Sequence, residues 1–209
     1  MNEWIDVSQP LNDAVATWPG DTPFSYSINW SKKDSESVNV GKINMSVHTG
    51  THIDSPFHFE DQGKKIIDLN INVFIGKSRV VYIPNQKSLS IEEFSHLDLK
   101  GVTRLLIRTD SWTNKDDFPD SIPHIEESVI DYLGQLGICL IGIDLPSIDP
   151  LDSKTLPAHH KCAEYGIYIL EGMLLEKIEP GDYDLIALPL YLSDADGSPT
   201  RDVLKKHSR

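Results

Sequence analysis

His48, His52, Asp54 and His58 fall within a single run of eleven residues, His48-Thr49-Gly50-Thr51-His52-Ile53-Asp54-Ser55-Pro56-Phe57-His58. All four occupy even positions, and alternate side chains of an extended chain share one face. The spacing therefore predicts that three imidazoles and a carboxylate converge. Gly50, β-branched Thr49, Thr51 and Ile53, and the restriction that Pro56 places on Ser55 all oppose a helix here. Imidazole nitrogen and carboxylate oxygen are the ligands of a borderline divalent metal such as zinc.

Ligands from one short run leave room for a second element, and the candidates are His159, His160 and Glu171. Ala158-His159-His160 opens a helix after Pro157, and Glu171 ends the apolar run that starts at Ile167. Glu171 and Asp54 could bridge two cations about 3.5–4 Å apart, a hydrolytic pair in which one ion activates water and the other polarises a carbonyl. Asp144 and Asp149 are of ligand type as well, but the turn chemistry around Pro146 and Pro150 accounts for them. His96, His124 and His207 are read as ordinary surface or satisfied histidines. Ser193-Asp194-Ala195-Asp196-Gly197 lacks the spacing and terminal glutamate of a calcium loop.

The elements that must carry these residues alternate between strand and helix. Lys42–His48 alternates in polarity and predicts a half-buried strand leading into the cluster. Arg79–Ile83, Thr103–Arg108, Ile167–Glu171 and Leu185–Leu190 read as strands. Ile138–Leu145, apolar almost throughout, reads as a central strand covered on both faces. Ser90-Ile91-Glu92-Glu93 predicts a capping box opening a short helix. Ile125, Val129, Tyr132, Leu133 and Leu136 form one helical stripe closed by Gly137, and Ala158–Tyr165 is a helix stopped by Gly166. The residues up to Phe24 are rich in turn formers and predict loops and short edge strands. The fold class that follows is α/β, a single domain over residues 1–209 with a mixed sheet.

Composition narrows the partners. A net charge of −13 over 209 residues disfavours nucleic acid, and no apolar run reaches the length of a membrane span. The partner expected is a small-molecule substrate. Met1–Asp6 lacks the basic residues and apolar core of a signal peptide. Cys139 and Cys162 form no CxxC pair and read as reduced thiols in a cytoplasmic protein, with one disulfide as the weaker alternative. A serine hydrolase would need a Gly-x-Ser-x-Gly elbow, and the chain has none.

The motif His-Thr-Gly-Thr-His-x-Asp-x-Pro-x-His resembles the signature of the metal-dependent cyclase superfamily. More narrowly, the chain resembles the bacterial kynurenine formamidases. The likeness includes Trp4–Leu11, Trp18–Phe24, Ile143–Pro150, Ala158-His159-His160, Ile169-Leu170-Glu171, Leu185–Leu190 and Asp196–Arg201. The resemblance implies a swivelling β/β/α cyclase-like fold, a homodimer and two divalent metal ions. Zinc is the first choice, and manganese or cobalt would suit the same ligands. It implies that His48, His52 and Asp54 bind one ion, that Asp54 and His159 bind the other, and that Glu171 lies between both. It places His58 as the acid/base and Trp18 in the substrate pocket. The activity implied is hydrolysis of N-formyl-L-kynurenine to L-kynurenine and formate in tryptophan degradation. Another amide hydrolase of the superfamily, acting on isatin, and a non-catalytic metal-binding protein are the alternatives.

Overall fold

The computed structural model describes residues 3–84 and 86–207, so Met1 and Asn2 of the N-terminal segment lie outside the described residues. Among these residues nine strands form one mixed sheet. Their order is Ile5–Asp6, Val203–Lys206, Gly181–Ile186, Ile75–Tyr82, Arg104–Arg108, Leu140–Ile143, Tyr168–Glu171, His52–Asp54 and Gly197–Pro199. The central run from Ile75–Tyr82 to Tyr168–Glu171 is parallel, and the strands outside it pair antiparallel.

Alternation within the central strands explains the two cores. Leu105, Ile107, Ile141, Ile143 and Ile169 meet Val129, Ile130 and Leu133 of the helix Glu127–Gln135 and Ala158 and Cys162 of the helix Pro157–Tyr165. Leu106, Leu140 and Leu170 face the other way, onto Val7, Phe74, Met173, Leu185 and Leu204. Every residue of Leu140–Ile143 is buried, as a strand covered on both faces requires. The capping box forms as expected, the Ser90 amide donating to Glu93 Oε2 at 2.7 Å. Gly166, with φ of 67°, closes the helix Pro157–Tyr165.

Three expectations shift. The strand expected over Lys42–His48 runs instead over Val40–Asn44, pairs only with Ser25–Trp30, and is exposed at every position. Its alternation has no core to face. Ile125 lies in a two-residue strand, His124–Ile125, and the helix begins at Glu127. The last apolar strand occupies Gly181–Ile186 rather than Leu185–Leu190; Pro189 makes only an isolated bridge to Thr200. Cys139 and Cys162 are free, and among the described residues no helix is long and apolar enough to cross a membrane.

Asp202 is wholly buried, and neither carboxylate oxygen makes a hydrogen bond of normal geometry. Burial pushes its pKa up to about 7; the Asp6 carboxylate adds to the rise and the Thr200 hydroxyl opposes it. A carboxyl with a higher pKa in the folded chain takes up a proton on folding. The stability it lends is complete below about pH 4 and is lost as the pH rises to about 7. Asp202→Asn, which cannot ionise, is expected to match the parent protein near pH 4 and to melt several degrees higher above pH 7. Thermal melts across that range test this, and parallel curves would remove Asp202 as the source.

Candidate metal centre

The cluster is assembled at the carboxyl ends of the parallel strands, where ligand sites of open α/β sheets lie. His52–Asp54 lies between Tyr168–Glu171 and Gly197–Pro199. In that register Glu171 is directly opposite His52, and Asp54 is opposite Ile169 on one side and Gly197 on the other. Residues opposite one another in a pair share a face, so Glu171 and His52 must point the same way. Gly172 follows with φ of 69°, and a Cβ on it would lie 2.3 Å from the Gly50 carbonyl oxygen. Only glycine lets the turn after Glu171 pack against the turn before His52.

The extended face expected over positions 48 to 58 is present only at His52 and Asp54. His48 sits in a turn, where the Thr49 amide donates to the Ser46 carbonyl. His58 ends a short 3₁₀ helix, Pro56–His58. Both rings still fold back onto the strand. His48 Nδ1 lies 2.8 Å from Asp54 Oδ1. His52 donates Nδ1–H to the Gly50 carbonyl at 3.0 Å, which leaves Nε2 3.4 Å from Asp54 Oδ1 and 3.6 Å from Glu171 Oε2. His159 Nε2 lies 3.3 Å from Asp54 Oδ2 and 3.6 Å from Glu171 Oε1. Each carboxylate thus turns one oxygen toward His52 and the other toward His159. His160 points away, exposed beside Glu60.

Asp144 and Asp149 do not join the cluster. Asp144 accepts from the Thr109 amide and hydroxyl and the Asp110 amide, tying two strand ends together. Asp149 accepts from the amides of Ala158 and His159 and, at 2.6 Å, from His159 Nδ1. One residue was missed from the sequence. Asp196 Oδ2 lies 2.9 Å from His48 Nε2 and 3.4 Å from His58 Nδ1. It is 148 residues from His48, and the likeness over Asp196–Arg201 gave it no role in the site.

Burial drives the Asp54 carboxyl up, but hydrogen bonds from His159 and His48 outweigh it and hold the group well below the ordinary range. Glu171 goes the other way, raised by burial and by the Asp54 charge. Burial opposes charge on His48, yet Asp196 and Asp54 raise it to about 10. His159 likewise rises to about 10, chiefly through Asp149 and Asp54. His58 is lowered, with burial the largest cause.

A cavity of about 480 Å³ opens over the cluster. Trp18, Trp112, Phe118 and Leu156 wall it, and His58 faces it. Trp18 meets Phe118 edge to face at 5.1 Å. His52, Asp54 and Glu171 place one ligand atom each within 4.8 Å of the others, as do His48, Asp54 and His58. The donor set is that of a divalent metal site.

The family described as "Putative cyclase" matches residues 5–150. Over 206 residues, 99% of each chain, the sequence is 57% identical to a kynurenine formamidase of Geobacillus thermodenitrificans. It is 55% identical to one of Bacillus cereus over 204 residues, 98% of each chain. A solved structure described as a potential metal-dependent hydrolase with cyclase activity superposes with a TM-score of 0.86 at 24% identity, covering all of both chains. Isatin hydrolase A from Labrenzia aggregata superposes with a TM-score of 0.81 at 22% identity, covering 99% of this chain and 94% of the other. Both share the fold.

With His48 and His159 raised to about 10, both rings carry protons at neutral pH before a metal arrives. A metal held by these rings would need their lone pairs. Zinc uptake is therefore expected to release at least those two protons, with affinity rising between about pH 6 and 8. Calorimetric titration in buffers of different ionisation enthalpy counts those protons. Heats independent of buffer, with an affinity independent of pH, would mean that the rings start neutral.

Proposed function

The chain belongs to the kynurenine formamidase family, and from that premise and the geometry of the centre we propose that it hydrolyses N-formyl-L-kynurenine to L-kynurenine and formate. The observation that carries the reading is the joining of the Asp54–Glu171 centre to an aromatic-walled cavity with a free imidazole, His58, at its edge. A non-catalytic metal-binding protein needs ligands but has no use for that imidazole or that cavity.

Two divalent ions fit the donor set, with zinc the first choice and manganese or cobalt possible with the same ligands. His48, His52 and one oxygen of Asp54 would hold one ion. His159 and the other Asp54 oxygen would hold the second, with Glu171 offering an oxygen to each. Such a pair supplies an activated water and polarises the formyl oxygen.

The protein's residues do the rest. The substrate's aryl ring fits against Trp18, whose indole is half-exposed and braced by Phe118. Asp21 is the one carboxylate among the cavity's lining residues outside the cluster. It suits the α-ammonium of an amino-acid substrate, which isatin lacks, and this favours the formamidase over the isatin reading. Among the described residues His58 hydrogen-bonds only through Nδ1, which leaves Nε2 to serve the cavity. Its lowered pKa keeps the ring neutral at rest. It can take the proton from the attacking water and return it to the aniline nitrogen, a poor leaving group without one.

Two further proposals rest on surface and thiols. The strands Ser25–Trp30 and Val40–Asn44 are exposed throughout and display Tyr26, Ile28, Trp30, Val40 and Ile43. An isolated hairpin is only marginally stable in water, and this one is exposed at every position with no cover among the described residues. We take a second copy as the cover, making the protein a homodimer. The two free cysteines fit the reducing cytoplasm.

Formate release from N-formyl-L-kynurenine, abolished by chelation and restored by zinc, tests the activity. A larger kcat/KM for isatin would overturn the substrate assignment. His58→Ala is expected to keep its metal and lose about 10²–10⁴-fold in kcat; a parent-like kcat would remove His58 from the reaction. Light scattering coupled to size exclusion is expected to give a dimer that Trp30→Glu with Ile43→Glu converts to monomer, and a monomeric parent would refute the dimer.

A further inference from the structure

We propose that Asp196 is a positioning residue whose single carboxylate oxygen orients both His48 and His58, coupling the metal cluster to the acid/base imidazole. The inference rests on the formamidase reading above. Asp196 Oδ2 reaches His48 Nε2 at 2.9 Å and His58 Nδ1 at 3.4 Å. The two rings lie 4.1 Å apart, tilted by 38°. A carboxylate only accepts, so each of those nitrogens donates its hydrogen. In the metal-free protein His48 Nδ1 also donates, to Asp54 Oδ1 at 2.8 Å, so Nδ1 is the nitrogen whose proton a metal would displace, and the Nε2 lone pair of His58 is left toward the cavity.

The backbone around Asp196 is fixed as if for this purpose. Its carbonyl oxygen accepts from both the amide and the hydroxyl of Ser55, each at 2.9 Å. The Ser55 carbonyl in turn accepts from the His58 amide at 2.9 Å. The next residue, Gly197, is opposite Asp54 in the sheet. A Cβ there would lie 2.6 Å from His48 Cε1, so glycine is what lets the His48 ring lie against this strand. Ser55 therefore ties the Asp196 backbone to the His58 backbone, and Asp196 is seated beside the ring it orients.

The test compares the parent, Asp196→Asn, His58→Ala and the double variant, each loaded with zinc. N-formyl-L-kynurenine is compared with 4-nitrophenyl formate, whose leaving group departs without a proton. Asp196→Asn, saturated with zinc, is expected to keep KM within about twofold. Its kcat on the anilide should fall about 10–100-fold, and the ester rate by distinctly less, because the ester dispenses with the leaving-group proton. In the His58→Ala background the same substitution should add no further loss. Additive losses, or equal losses on both substrates in the zinc-saturated protein, would overturn the coupling. ¹⁵N shifts of the imidazoles give a readout independent of turnover. The parent should show His58 as the Nδ1–H tautomer and Asp196→Asn a mixture, and an unchanged tautomer would refute the proposal. A zinc-loaded parent inactive on N-formyl-L-kynurenine would sink the formamidase reading instead, and the shifts would still decide the role of Asp196.

Discussion

Two buried carboxylates set against each other are the constraint around which the site is organised. Asp54 and Glu171 are each almost inaccessible to solvent, and both meet the same imidazoles. Uncompensated charges in such surroundings are penalised by several kcal/mol each. Their opposite shifts express the conflict: Asp54 keeps its charge and Glu171 resists taking one. Without a metal, protonated His48 and His159 supply the missing positive charge. The protons on those rings and a bound cation thus answer the same electrostatic demand.

The sheet makes this conflict unavoidable. Glu171 and Asp54 belong to neighbouring antiparallel strands whose register is fixed by Leu170 opposite Ile53, two fully buried side chains. A slip of one residue would turn both core residues outward, so hydrophobic burial enforces the approach of the carboxylates. The outer strand, Gly197–Pro199, pairs with His52–Asp54 on the far side. It is short, starts with glycine and ends with proline, as suits the edge of a sheet. Its position at the edge brings the loop carrying Asp196 over the cluster.

What the sequence made legible was local. The even spacing of His48, His52, Asp54 and His58 identified a convergent cluster, although only His52 and Asp54 converge by strand alternation. The other two arrive through a turn and a 3₁₀ helix, and period-two reasoning cannot tell these apart from a longer strand. The buried strand and the capping box at Ser90 were legible because hydrophobic runs and capping chemistry act over a few residues. Val40–Asn44 was misplaced because alternation distinguishes two faces without saying whether either one has a core to meet. Asp196 was unreadable for a different reason. Its partners lie more than a hundred residues away, and only the edge pairing of Gly197 with Asp54 brings them together.

His159 and Asp149 show how far structural and chemical roles can merge. The helix Pro157–Tyr165 has Leu156 at its N-cap, with φ of 43° and no side-chain capping bond. Asp149 takes over the capping function from outside the helix, accepting from the Ala158 and His159 amides. Such a cap contributes about 0.5–2 kcal/mol. The oxygen that accepts from the His159 amide also accepts from its ring. The backbone position of the helix and the orientation of the imidazole are thereby fixed by one carboxylate. His160, one residue on, shares the helix but not this contact, and its ring turns outward beside Glu60. The choice between adjacent histidines is thus made by a hydrogen bond from a turn ten residues back, whose own aspartate looked like mere turn chemistry.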